Sequence, residues 1–147
     1  MFVEGLLSIA KQRLNIIQAD ASLIEAAKLL CGTQKSLVVV CEAAGTMVGV
    51  VSKTDVVRQI SRSPDNVSST TAAAVMTRDV AYCRSSDTLR DVLSLMKQRG
   101  FVHIPIVEQG FKPSGVVNAR DALQALLGEV EDEEALLRDY VMGVGYQ

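Results

Sequence analysis

The chain has 147 residues, of which 48% are hydrophobic, and it carries a formal net charge of −2 at pH 7. This apolar content predicts a well-buried core and excludes an intrinsically disordered chain. The acidic balance gives no electrostatic basis for nucleic-acid binding, which favours a basic face. Residues 1–17 lack the order of a signal peptide, and no apolar run approaches the roughly 20 residues that cross a bilayer. We therefore expect a cytoplasmic protein that binds neither nucleic acid nor a membrane.

The three cysteines, Cys31, Cys41 and Cys83, have no spacing typical of a metal site. Each lies among apolar neighbours, which predicts small core residues in a reducing compartment. The chain has one histidine, no nucleophile beside a base and no glycine-rich phosphate loop. These features argue against an enzyme, and we expect no metal to be required.

The first predicted element is an N-terminal helix over residues 1–14, in which Val3, Leu7, Ala10 and Leu14 recur at helical spacing. A second apolar set follows the same spacing on another face. We therefore expect this helix to be covered by the domain or by a partner subunit.

The central feature is a repeat of residues 20–57 at positions 86–123, with a constant offset of 66 positions and no gap. In each copy a hydroxyl residue, Ser22 or Thr88, precedes a helix with an apolar stripe. The stripes comprise Leu23, Ala26, Ala27 and Leu30 in the first copy, and Leu89, Val92, Leu93 and Met96 in the second. A repeat of this length is a supersecondary unit that packs on its copy.

Two apolar runs follow each of these helices and predict buried strands, because they are short and rich in β-branched residues. The predicted strands cover residues 37–41 and 49–51 in the first copy, and 103–107 and 115–117 in the second. Ser52 and Asn118 are suitable N-caps for further helices over residues 53–60 and 119–127. With a short initial strand (15–17 or 80–83), each copy reads strand, helix, strand, strand, helix.

The remaining segments connect and extend the copies. A polar, proline-containing stretch predicts a surface linker, followed by a helical turn over residues 72–76. Acidic residues at 129–134, with Gly143 after the end, predict a C-terminal helix over 131–141. The predicted units are the N-terminal helix (1–14), repeat 1 (15–60), the linker (61–74), repeat 2 (75–127), and the C-terminal helix and tail (128–147).

Three sequence elements resemble a tandem pair of cystathionine-β-synthase (CBS) domains. They are Val-Met-Thr-Arg-Asp-Val at residues 75–80, Gly-Phe-Val-His-Ile-Pro-Ile-Val at residues 100–107, and the Gly-Val-Val strings that lead to Asp55 and Asp121. The resemblance covers residues 15–127. It implies an α/β (α+β) fold of two β-α-β-β-α repeats related by a pseudo-two-fold axis, with extra N- and C-terminal helices. It also implies strands that meet in the middle, two clefts between the repeats, and a homodimer.

The clefts of this family often bind adenosine-containing ligands, such as AMP, ADP, ATP, S-adenosylmethionine or NAD. The resemblance thus implies a regulatory module, with AMP or ATP as the favoured ligand, that signals to an effector protein by a conformational or oligomeric change. The alternative is a ligand-independent dimerisation or scaffold module with vestigial clefts.

The repeated strand-end motif has the chemistry that such a ligand needs. The aspartate of either copy can accept from two vicinal ribose hydroxyls. The hydroxyl of Ser52 or Thr54 can donate to a phosphate above a helix N-terminus. Lys53 and Arg120 can add positive charge there.

The two copies differ on the purine side. Gly100 allows close backbone approach and Pro105 fixes the chain direction, whereas the matching residues of the first copy, 34–39, contain neither glycine nor proline. We therefore favour a cleft of the second repeat over one of the first. The favoured cleft comprises Thr77, Val80, Gly100, Phe101, His103, Pro105, Asn118, Arg120 and Asp121, and the weaker one comprises Ser52, Lys53, Thr54 and Asp55.

Structural roles compete with these assignments. Ser52 and Asp55 also match a capping box, and Gly100 also suits the C-cap of the helix that ends at Arg99. A lone histidine at the start of an apolar run, such as His103, is more typical of a core or rim position than of a ligand site.

Overall fold

The computed structural model describes the backbone of residues 1–32 and 36–145. A 3-10 turn (Val3–Leu6) leads into α1 (Leu7–Gln12). The first repeat consists of β1 (Ile16–Gln18), α2 (Leu23–Leu30), β2 (Leu37–Cys41), β3 (Met47–Ser52) and α3 (Lys53–Arg62). A second 3-10 turn (Pro64–Ser69) and α4 (Ala72–Val75) precede the second repeat. That repeat consists of α5 (Leu89–Arg99), β4 (His103–Glu108), β5 (Lys112–Asn118) and α6 (Ala119–Gly145).

The strands form two sheets that share one layer of core side chains. β2 is parallel to β1 and antiparallel to β3, whereas β4 and β5 form an antiparallel pair. Val39 and Val50 of the first sheet pack with Val107 and Val116 of the second, and all four are buried. This cluster confirms the expectation that the strands of the two repeats meet in the middle.

Each repeat is completed by the segment that precedes the other repeat. The Leu23 N–H, at the start of α2, donates to the carbonyl oxygen of Thr70 at 2.9 Å. The Leu89 N–H, at the start of α5 and 66 positions later, donates to the carbonyl oxygen of Met1 at 2.9 Å. The two halves are therefore interlocked, and the N-terminal segment belongs to the core of the second repeat.

The glycine of each Gly-Val-Val string makes this interlocking possible. A Cβ atom at Gly115 would lie 2.8 Å from the Cβ of Ala10 on α1. At the matching Gly49, a Cβ atom would lie 2.6 Å from Sδ of Met76, in the segment that follows α4. Only glycine leaves room for the crossing segment at these two places.

The predicted caps and stripes are confirmed. The side chain of Ser22 accepts from the Glu25 N–H at 3.2 Å, and that of Thr88 accepts from the Asp91 N–H at 3.1 Å. Leu23 and Leu89, which open the two stripes, are fully buried. The short predicted helical turn also forms, as α4.

Three predictions about local structure are wrong. Residues 80–83 form no strand, although Cys83 makes an isolated parallel bridge to Ile106. The helices predicted over 119–127 and 131–141 are one helix, α6, which continues through Gly143 instead of ending before it. Gly128 lies between the two predicted helices, but one glycine costs a helix only about 1 kcal/mol, so the helix continues through it. Cys31 is exposed because it follows the last buried residue of α2, whereas Cys41 and Cys83 are buried as expected.

The N-terminal helix is shorter than predicted and packs on the domain with one face. Val3, Leu6 and Ala10 are buried, whereas Phe2 and Ile9 are 58% and 43% exposed. Within the described residues, no helix combines the length and apolar character that a membrane crossing needs.

Candidate ligand cleft between the repeats

A cleft of about 470 Å³ lies between the N-terminus of α3 in the first repeat and the loop from α5 to β4 in the second. This volume is in the range of small-molecule sites. The first repeat contributes Ser36, Leu37, Val50, Ser52, Lys53, Thr54 and Asp55 to its lining. The second repeat and the segment before it contribute Thr77, Asp79, Val80, Ala81, Gly100, Phe101, Val102, His103 and Pro105.

The floor of the cleft is the first turn of α3. The side chain of Ser52 accepts from the Asp55 N–H at 3.2 Å, and Oδ2 of Asp55 accepts from the Ser52 N–H at 2.9 Å. These two hydrogen bonds form a complete capping box, so the structural role expected for this pair is present. Lys53 and Thr54 lie on the same turn, are exposed, and line the cleft.

The carboxylate of Asp55 lies at the junction of the repeats and is only 8% exposed. The hydroxyl of Thr77 approaches both carboxylate oxygens at 3.4 Å, and Nη1 of Arg58 lies 3.4 Å from Oδ1. Thr77 is fixed in place because its backbone exchanges two hydrogen bonds with Val50, of 2.8 and 3.0 Å. A carboxylate accepts about four hydrogen bonds, and those to Thr77 and Arg58 are long. Asp55 is therefore suited to accept stronger donors from a ligand.

The opposite wall is the loop between α5 and β4. Gly100 ends α5 with a left-handed backbone angle φ of 72°. The glycine therefore has the helix-capping role that the sequence suggested as an alternative to ligand binding. The Ala119 N–H donates to the carbonyl oxygen of Val102 at 2.9 Å and ties the loop to α6. The guanidinium carbon of Arg99 lies 5.4 Å from the ring centre of Phe101, and Nη2 of Arg99 lies 3.4 Å from Oδ2 of Asp79. The wall thus presents an aromatic ring at the mouth of the cleft.

His103 lies at the edge of the cleft as a neutral ring. The amide nitrogen of Asn118 lies 2.9 Å from its Nε2, and since that amide nitrogen only donates, Nε2 must accept. Burial lowers the pKa of His103 below its ordinary value of 6.5, the positive charge of Arg13 lowers it further, and Asp121 opposes them. The Asn118 oxygen accepts from the Arg120 N–H at 2.7 Å and so caps α6.

The carboxylate of Asp121 is held by Arg13, which follows α1. Nη2 of Arg13 donates to Oδ1 at 2.9 Å, and Nε of Arg13 donates to Oδ2. Arg120 is exposed and, like Asp121 and Asn118, does not line the cleft.

The structure therefore rearranges the predicted site. Four residues expected in a weak first cleft share one cavity with six of the nine expected in a second cleft. The residues that share this cavity come from both repeats, because the interlocked segments bring the start of α3 against the loop before β4. Gln34 and Lys35, which match Gly100 and Phe101, lie outside the described residues.

Several lining residues were not among the predicted site residues. Asp79 and Val102 lie inside the two motifs that carry the family resemblance, so those motifs contained the signal. Ser36, Leu37 and Ala81 enter the lining through tertiary packing, which no local pattern reports.

The two repeats interlock and line a common cleft, so the fold is that of a tandem-repeat module. The sequence matches the CBS domain family twice, over residues 8–62 and 72–128. The chain belongs to the CBS domain family, and it carries two such domains in tandem.

Known proteins support this assignment. The chain is 29% identical over 120 residues to an uncharacterized 17.7 kDa protein of Acidianus ambivalens, a match that covers 81% of this chain and 71% of that protein. It superposes with a TM-score of 0.73 on a CBS-domain containing protein of Agrobacterium tumefaciens, at 25% identity, covering 85% of this chain and 98% of that one.

Two structures with similar folds contain ligands. CBSX2, an Arabidopsis thaliana protein crystallised with AMP, matches with a TM-score of 0.73 at 23% identity, covering 86% of this chain and 96% of that one. The CBS domain pair of protein MJ0100, crystallised with 5′-methylthioadenosine and S-adenosyl-L-methionine, matches with a TM-score of 0.71 at 20% identity. That match covers 88% of this chain and 97% of the other. At these identities the likeness shows the fold alone.

Proposed function

We propose that the chain is a regulatory module that binds an adenosine-containing ligand in the cleft between α3 and the loop before β4. The observation that carries this proposal is the meeting of a buried carboxylate, Asp55, and a helix N-terminus with an aromatic wall from the other repeat. The three ligands of CBSX2 and MJ0100, all adenosine derivatives, support the choice of ligand class.

Each part of the ligand has a matching group in the cleft. The carboxylate of Asp55 accepts from the two ribose hydroxyls, replacing the long contact with Thr77. A phosphate lies above the first turn of α3, where backbone N–H groups, the helix dipole and Lys53 favour negative charge. The purine lies against Phe101 and the apolar side chains near it, where stacking and burial stabilise it.

The charges of the cleft favour AMP over ATP. Among the described lining residues Lys53 is the cationic one, whereas Asp55 and Asp79 are anionic. One phosphate can be balanced by Lys53 and the α3 dipole, but a triphosphate would bring several negative charges near Asp79. We therefore expect affinity to fall from AMP to ATP at low salt.

Signalling requires that the ligand prefer one of two states. Because the cleft is made from both repeats, a ligand that contacts α3 and the loop before β4 stabilises one relative placement of the two. A partner protein that binds only this placement of the repeats then responds to the ligand.

Calorimetry on nucleotide-stripped protein tests the proposal with AMP, ATP, S-adenosylmethionine and NAD. We expect saturable binding of AMP with one site per chain. Asp55→Asn weakens it by about tenfold or more, because hydrogen bonds to a charged acceptor are the stronger ones. The control is Asp91→Asn, the same change at an exposed aspartate outside the cleft, which leaves the affinity unchanged. The proposal fails if none of the four compounds binds below millimolar concentration.

A scaffold role is the second candidate, favoured by one pair of exposed side chains. Val57 on α3 and Leu123 on α6 occupy matching positions in the two repeats and are 63% and 52% exposed. Paired apolar positions of this kind suit a symmetric face between two copies. If the oligomeric mass and the thermal stability of the protein are both unaffected by AMP, the scaffold role is the better description.

A further inference from the structure

The second half of α6 is a long helical extension with an uncovered apolar seam. From residue 130 to residue 141 every described side chain is exposed. Leu127, Val130, Leu137 and Val141 are separated by three, seven and four residues, so they lie along one side of the helix, and each is at least 42% exposed. This is the spacing by which one helix packs along another.

A helix of this kind needs a partner for its apolar side. Leu136 and Tyr140 widen the exposed surface, with 69% and 72% of their area accessible. Helices in proteins derive most of their stability from packing of an apolar face, and contiguous exposed apolar surface marks an interaction site.

The charges along the seam determine what can cover it. Glu134 occupies the seam position between Val130 and Leu137, and Glu131 and Glu133 lie at the positions that flank it. Between residues 129 and 139 there are six acidic residues and one basic residue, Arg138. A second copy packed here in parallel would place two Glu134 side chains against each other within the apolar seam, which is unfavourable.

We propose that residues 127–141 of α6 form a docking surface for a basic amphipathic helix of a partner protein. The apolar seam supplies the contact area, and lysine or arginine residues of the partner pair with Glu131, Glu133 and Glu134. Leu123 lies one turn before Leu127 on the same side of α6, so this surface extends the face marked by Val57 and Leu123. It does not line the ligand cleft.

The test uses the full chain and two synthetic helical peptides of about three heptads, both with leucine at the seam positions. One peptide carries lysine at the flanking positions and at one central seam position, and the other carries glutamate there. We expect the lysine peptide to bind, with an affinity that falls as salt is raised, and the glutamate peptide not to bind. Leu137→Ser weakens binding about tenfold or more, whereas Ala135→Ser, which introduces serine outside the seam, leaves it unchanged.

Analytical ultracentrifugation distinguishes the other occupants. If the chain self-associates at physiological salt and Leu137→Ser abolishes that association, the seam binds a second copy and the proposal is overturned. Equal binding of both peptides, or peptide binding insensitive to Leu137→Ser, overturns it as well. Circular dichroism of each variant verifies that α6 is retained.

Discussion

Arg13 and Asp121 form a two-point ion pair that joins the end of α1 to the first turn of α6. Their side chains are 19% and 7% exposed, so both charges are largely removed from water. In the first repeat the corresponding carboxylate, Asp55, has longer side-chain contacts, of 3.4 Å, with the hydroxyl of Thr77 and with the exposed Arg58. The duplicated aspartates therefore have different partners, and this difference is why we place the ligand beside Asp55.

Arg13→Ala is expected to lower the free energy of unfolding by about 3 kcal/mol, because it leaves the buried Asp121 carboxylate without its counter-charge. Urea denaturation at neutral pH measures this. The control is the double variant Arg13→Met with Asp121→Leu, which removes both charges and is expected to recover most of the loss. Equal instability of the single and double variants would show that the arginine acts through packing and not through charge.

The architecture was predictable from the sequence to a large extent because the duplication makes each local signal appear twice. Local spacing and composition are enough to predict the capped helices that begin after Ser22 and Thr88. The same holds for the strands that follow these helices. A prediction failed where the two copies differ in structure, as at residues 80–83, where an isolated bridge replaces the strand that the first copy forms as β1.

The composition of the cleft could not be predicted in the same way. Each half of the site was recognised, Ser52 and Asp55 in one repeat and Gly100 and Pro105 in the other. Their meeting depends on which repeat each preceding segment packs against, and that is a long-range property. The Arg13 ion pair has a separation of 108 positions in sequence, and no local pattern could have indicated it.

Gly115→Ala is expected to destabilise the protein by about 1–3 kcal/mol, since the new methyl group would overlap with Ala10 on α1. Thermal unfolding measures the loss, and increased proteolysis near the N-terminus would report displacement of α1. Gly128→Ala is the matched control, because a Cβ atom there has nothing within 4 Å. That variant should gain up to about 1 kcal/mol from its higher helix propensity. Unchanged stability of Gly115→Ala would contradict the close crossing of α1 over β5.

Stability is expected to fall as the pH drops below about 6.5, in part through His103. The folded protein lowers the pKa of His103 from 6.5, so below that pH the unfolded chain binds a proton that the folded protein resists. The free energy of unfolding therefore rises with pH through this window, and above it the histidine contributes no further change. His103→Gln keeps an acceptor for Asn118 without a titrating ring, and denaturation curves from about pH 5 to pH 8 should then show a smaller slope. An identical slope in the variant would assign the effect to other groups.

The three cysteines are expected to differ sharply in reactivity. Cys31 is exposed, whereas burial raises the pKa of the Cys41 thiol. Burial, followed by the negative charges of Asp87 and Glu108, raises the pKa of Cys83 to about 12. At pH 8 roughly one Cys83 in ten thousand is then a thiolate, the form that reacts. Ellman's reagent should modify one thiol per native chain and all three after denaturation, and Cys31→Ser should remove the native reaction. Rapid modification of either remaining thiol in that variant would mean that the core around Cys41 or Cys83 opens to solvent.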